Sequence, residues 1–191
     1  MTSSGPLVDQ LAAQLILLPM LGMMLLTLVV WVYMYIQRIG YCIRNRVRTQ
    51  DLTTPDRVAE LIPAPVSYSA YNFRNLLELP ALFYVLCLFL YVTSSVDEWH
   101  LVAAWLFVAL RVVHSVIHCT VNIVIWRFYA YFASALVLWI MLVRVVLRIA
   151  LSGIRRVRRV VPGANSRSRP FVRGIGHKMG ILDPNSRRSD N

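Results

Sequence analysis

The sequence predicts an all-α fold, an integral membrane bundle of four spanning helices followed by a basic tail. Three observations carry that prediction. Of 191 residues, 58% are hydrophobic and only 15% charged, whereas a soluble domain averages roughly 45–50% apolar and about 25% charged residues. The apolar residues collect in long stretches, each close to the ~20 residues a helix needs to cross hydrocarbon. The net charge of +11 falls mainly between and after those stretches, as expected where cations gather at the borders of lipid. Disorder of the whole chain is excluded by the same apolar content.

The first span is read over residues 11–36, since no charge occurs between Asp9 and Arg38. Pro19, near its start, removes one backbone hydrogen bond and is a candidate bend, with Gly22 close behind. No basic region or small-residue cleavage site accompanies the stretch, so it is expected to be retained as a span. Residues 37–69 read as an aqueous loop, with Arg38, Arg44, Arg46, Arg48 and Arg57 set among Asp51, Asp56, Glu60 and three prolines. The second span covers about 76–96 and is headed by the run Tyr71 to Pro80. A short acidic turn holding Asp97 and Glu98 follows.

The third span, 101–126, is interrupted by Arg111, His114, His118 and Asn122. The fourth, 128–150, follows Arg127 at once, so the two should form a tight antiparallel pair. Arg144 and Arg148 lie near its end, where long side chains snorkel to the interface. Residues 1–150 are thus expected to form the membrane domain, and 151–191 a flexible tail with ten Lys and Arg against Asp183 and Asp190. The start of that tail, Ile154-Arg155-Arg156-Val157-Arg158-Arg159, suits the surface of anionic membrane lipids. No nucleic-acid-binding motif accompanies the basic residues, so no nucleic-acid partner is expected. Cys42, Cys87 and Cys119 are too few, and odd in number, for a disulfide framework.

Topology pulls two ways, because four spans put both termini on one side while both the first loop and the tail are basic. We assign the first loop to the cytoplasm, since earlier helices usually set orientation and the second loop is acidic.

Charges at membrane depth cost about 2.5–3.5 kcal/mol each on insertion scales, so they face a protein interior or a wet cavity. Tyr71, Asn75 and Glu78 stand at i, i+4 and i+7, with Arg74 four residues before Glu78, so the four share a broad helix face on which Arg74 and Glu78 could neutralise one another. Arg111, His114, His118 and Asn122 are spaced by three, four and four residues, along one stripe. Two readings stay open: a polar seam that only fixes helix packing, or a cavity for a small anionic, hydrogen-bonding ligand, which guanidinium groups pair with bidentately. Two histidines one turn apart on one helix cannot take opposite faces of a haem. The run His114-Ser115-Val116-Ile117-His118 lacks the glutamate of a zinc-protease helix, so no metal site is expected. Four spans without an internal repeat offer little for alternating access, which argues against a transporter.

The run Asn72-Phe73-Arg74-Asn75-Leu76-Leu77-Glu78-Leu79-Pro80, followed by Arg111-Val112-Val113-His114-Ser115-Val116-Ile117-His118 and then Arg127, resembles the MAPEG family (membrane-associated proteins in eicosanoid and glutathione metabolism), its prokaryotic branch above all. The resemblance covers about 15–147 and leaves out the tail. It implies a four-helix protomer in a homotrimer, in the bacterial inner membrane, with glutathione bound between protomers. It also implies a transferase or peroxidase acting on a lipophilic small molecule, although some members of the family bind lipid without catalysis. Carried over by motif, Arg38, Arg74, Asn75, Glu78 and His114 would bind glutathione, and Arg127 and His118 would be catalytic. Where this chain has Tyr71, His118 and Phe128, some glutathione-using relatives have arginine, tyrosine and serine, so fewer anion contacts are available here.

Overall fold

A computed structural model describes residues 14–160, with side chains as far as Arg155; of the expected flexible tail, 151–191, residues 151–160 continue the last helix and the rest lies outside the described residues. The described elements are helix α1 (Leu17–Arg44), a single 3-10 turn (Thr49–Asp51), α2 (Pro55–Leu61), α3 (Ala64–Val92), α4 (Glu98–Cys119) and α5 (Val124–Val160), with no strand among the described residues. Four of them, α1, α3, α4 and α5, are long and apolar enough to cross a membrane. The chain divides into a unit of residues 1–151, which holds the bundle, and one of 152–191.

The helix ends differ from the hydropathic stretches. α1 continues past Ile36 to Arg44, and α3 begins at Ala64 rather than near residue 76. A hydropathic stretch marks the hydrocarbon layer, whereas backbone hydrogen bonding continues into the polar border, where arginine side chains reach water. α4 stops at Cys119, short of the expected residue 126. Asn122 therefore leaves the proposed helical stripe and sits in the turn at φ 48°, a left-handed conformation that asparagine tolerates better than most residues. That shift brings Arg127 inside the first turns of α5.

Local chemistry explains several boundaries. Thr54 caps α2 by accepting a hydrogen bond from the Arg57 backbone N–H, with Pro55 in the first turn. Asp97 caps α4 through the His100 N–H at 2.9 Å. Pro80, buried inside α3, removes one donor from the helix ladder.

α1 packs chiefly on α3, and α4 touches both. The core joins Met23 and Val30 of α1, Leu76, Phe83 and Leu90 of α3, Ala104 and Phe107 of α4, and Leu138 and Met141 of α5. Phe83 and Phe107 stack with ring centroids 4.4 Å apart, a geometry worth about 0.5–1.5 kcal/mol beyond burial. In lipid such close packing replaces water expulsion as the force between helices. On the outer face of α1, Leu18, Leu21, Leu25, Leu28, Val32, Ile36, Ile39 and Ile43 recur at three- and four-residue steps and are exposed.

At the end of the bundle formed by the α3–α4 turn, charges are tightly paired. Asp97 Oδ2 accepts from Arg144 Nη2 at 2.9 Å and Arg148 Nη2 at 2.5 Å, while His100 Nδ1 lies 2.5 Å from Asp97 Oδ1. Arg148 also donates to the Ser95 carbonyl at 2.9 Å, and the Arg144 guanidinium lies 4.7 Å from the Trp99 ring centroid. Burial alone would raise the Asp97 carboxyl, but the His100 backbone N–H and the two arginines outweigh it and hold it well below the usual carboxylate range.

Candidate functional site

The opposite end of the bundle holds a cleft of about 410 Å³ between α3, α4 and α5. That volume falls within the roughly 300–1,000 Å³ of small-molecule sites. α3 supplies Tyr71, Arg74, Asn75 and Glu78, the face anticipated from their spacing. α4 supplies His114 and His118, and the start of α5 supplies Arg127, Phe128 and Tyr131. Six of the seven site residues expected from the sequence thus line one cleft, although their separations in sequence reach about fifty positions.

Arg38 is the exception. It lines an adjoining cleft of about 390 Å³ between α1, the α2 region and α3, whose shared wall is Tyr71 and Arg74. The reason is its place on α1, which packs chiefly on α3.

Within the first cleft the polar groups are held in different ways. Arg127 Nη1 donates to Asn122 Oδ1 at 2.6 Å, so the turn residue that left the α4 stripe steadies the cation instead. The Arg127 carbonyl lies 3.0 Å from His114 Nδ1. A carbonyl only accepts, so Nδ1 carries the proton in this contact. His114 Nε2 and both ring nitrogens of His118 are buried without a hydrogen-bond partner among the described residues. The two imidazoles stand edge to face, with centroids 5.5 Å apart. Arg74 and Glu78 are exposed in the protomer and form no ion pair with each other, so the neutralisation expected from their i, i+4 spacing is not made.

Behind the cleft runs a polar seam. Arg111 is fully buried, its guanidinium 4.6 Å from the Tyr131 ring centroid and 5.5 Å from that of Phe107. Ser115 Oγ donates to Asn72 Oδ1 at 3.4 Å, and Asn72 Nδ2 to Cys119 Sγ at 3.4 Å, tying α3 to α4. The intramembrane polar residues thus differ in their surroundings: Asn72 bonds between helices, the Arg111 guanidinium lies buried between the Phe107 and Tyr131 rings, and Arg74, Glu78 and Arg127 line the cleft. Tyr131, which meets Arg111 and lines the cleft, was not singled out from the sequence. Its signal there is the four-residue step from Arg127, which puts both on one face of α5.

The arrangement offers an anion two guanidinium groups, offers an ammonium one carboxylate, and offers a peptide group the Asn75 amide. Comparison with curated proteins and with solved structures gave no match. Residues 16–147 match the model of the MAPEG family. Four membrane-spanning helices, a polar cleft at one end of the bundle and a family match over most of the membrane domain lead to one conclusion: this integral membrane protein belongs to the MAPEG family.

Proposed function

We propose that the chain is a glutathione-dependent transferase or peroxidase acting on lipophilic substrates, and that the cleft between α3, α4 and α5 is its glutathione site. The observation that carries this reading is the convergence of Arg74, Asn75, Glu78, His114, His118 and Arg127 on one cleft of suitable volume. Arg74 and Arg127 are the groups to neutralise the two carboxylates of the tripeptide, Glu78 to take its ammonium, and Asn75 to bond its peptide backbone. Bound there, glutathione supplies a thiol with an ordinary pKa near 8.5, whose thiolate is the reactive form. The Arg127 guanidinium favours that anion, and Asn122 fixes the guanidinium. Phe128 and the exposed apolar surface of α5 leave the approach to the cleft open to a hydrophobic partner from the bilayer.

The same proposal includes a homotrimer in a bacterial inner membrane. The support is geometric: α1 carries its exposed apolar stripe, and an apolar groove of about 370 Å³ lies between α3 and α5, lined by Leu82, Val85, Phe89, Trp139, Leu142 and Val146 among others. A neighbouring copy's α1 suits that groove, since the stripe has the three- and four-residue rhythm of helix packing.

A second reading keeps the fold without the chemistry: a membrane protein that binds lipid, or uses the polar residues for assembly alone. What favours it is that Tyr71 and Phe128 line the cleft where a further cation and a hydroxyl would strengthen an anion site. Calorimetric titration of glutathione into the detergent-solubilised protein separates the two. Binding that weakens about 10- to 100-fold in Arg74→Ala, the usual cost of a charge-assisted hydrogen bond, supports the enzyme. Absence of binding at millimolar glutathione rejects it in favour of the lipid-binding protein.

A further inference from the structure

Helix α5 is longer than a span requires. Its 37 residues measure about 55 Å at 1.5 Å per residue, whereas the hydrocarbon layer takes about 30 Å. Its last turns carry four arginines in five positions, Arg155, Arg156, Arg158 and Arg159. Earlier on the same helix, Arg144 and Arg148 have the Asp97 carboxylate. The four that follow have no such neighbour in the sequence: α5 contains no acidic residue at all, and none occurs between Glu98 and Asp183. Four like charges on little more than one turn repel each other unless anions from outside the helix gather on them.

The helical register says what kind of anion that is. At about 100° per residue, the four arginine positions fall within an arc of about 160°, and Ile154, Val157 and Val160 fall within a separate arc of about 120°. Ile154 and Arg155 are both exposed. A basic arc beside an aliphatic one matches the boundary between phosphate head groups and acyl chains, and guanidinium groups pair with phosphate bidentately. A nucleic acid or free phosphate would meet the arginines but leave the aliphatic positions in water. The segment also continues a spanning helix, so a bilayer is tethered to it at high effective concentration. We propose that residues 154–160 form a docking surface for anionic membrane lipid, phosphate head groups taking the arginines and Ile154, Val157 and Val160 taking the border of the acyl chains. The surface uses no residue of the glutathione cleft and stands whether or not that cleft binds glutathione.

The test is hydrogen–deuterium exchange of the full chain in nanodiscs, read by mass spectrometry on the peptides that cover residues 152–160. In discs with about 30% phosphatidylglycerol these turns should exchange about tenfold more slowly than in phosphatidylcholine alone, since each arginine near an anionic surface strengthens attachment about fivefold. About 1 M sodium chloride, which screens charge beyond about 3 Å, should remove most of that difference. Arg155→Gln, Arg156→Gln, Arg158→Gln and Arg159→Gln together should abolish it, glutamine having nearly the helix propensity of arginine, while lysine at the same four positions should keep most of it. Because the glutamine variant could disturb folding, the lipid and salt comparisons on the unmodified chain decide the matter without it. Equal exchange in the two lipid compositions overturns the proposal. So does slowing in phosphatidylcholine discs by inorganic phosphate, or by a DNA duplex of about 20 base pairs, that matches or exceeds the effect of phosphatidylglycerol.

Discussion

The two ends of the bundle treat charge in opposite ways. At the α3–α4 turn Arg144 and Arg148 both pair with the single carboxylate of Asp97, which the His100 ring also meets through Nδ1. At the other end Arg38 and Arg74 are unpaired, Glu78 has no cation within ion-pair distance, and two buried imidazoles keep nitrogens without partners among the described residues. Polar atoms near lipid are costly when unsatisfied, so the end whose arginines are paired stabilises the fold, while the other end leaves its charges without an ion pair among the described residues. The contrast separates paired from available charge more sharply than burial does: the arginines at both ends are partly exposed, yet only one end sets its own on a carboxylate.

The largest effect should come from removing the hub of the paired end. Asp97→Ala strands two arginines and a buried histidine, and is expected to cost about 1–3 kcal/mol, read as a fall in melting temperature in detergent. Glutathione titration of the same variant should be unchanged; a large loss of binding would show that the ends are coupled. Conversely, Arg74→Ala should leave stability within about 0.5 kcal/mol, as expected for a residue that holds nothing in the protomer.

A smaller effect should appear on acidification. A carboxyl held below its ordinary range contributes stability that is fully present above the unfolded-state value, about 3.9, and is lost as pH falls below it. The melting temperature should therefore drop from about pH 4 downward, and Asp97→Asn should remove much of that acid dependence. A profile identical in the two proteins would mean that Asp97 does not carry the clasp.

The smallest change tests the middle of the bundle, which belongs to neither end. A Cβ at Gly22 would sit 3.7 Å from the Trp105 ring, ordinary contact. Gly22→Ala should thus stabilise α1 by about 0.4–1 kcal/mol, and a loss instead would show that α1 packs more tightly there than its surroundings indicate.

Much of this division was legible in the sequence, and the rest was not for physical reasons. Four apolar runs announced the spans, and the steps Tyr71–Asn75–Glu78 and His114–His118 announced which faces would meet, because both are properties of a single helix. The place of Arg38 in an adjoining cleft was not legible, because a motif records neighbours along the chain and not which cleft of the bundle a residue lines. Asn122 misled because a one-turn stripe looks the same whether the helix continues or ends in a left-handed residue. The Asp97 hub was invisible: its partners Arg144 and Arg148 are 47 and 51 residues away, and no local pattern links them.

The contact between His114 Nδ1 and the Arg127 carbonyl has a directional consequence. With Nδ1 committed to the main chain, the ring meets its surroundings through Nε2 alone, an acceptor when the ring is neutral and a donor when it is charged. The first turn of α5 thereby fixes which nitrogen of His114 is left for the cleft.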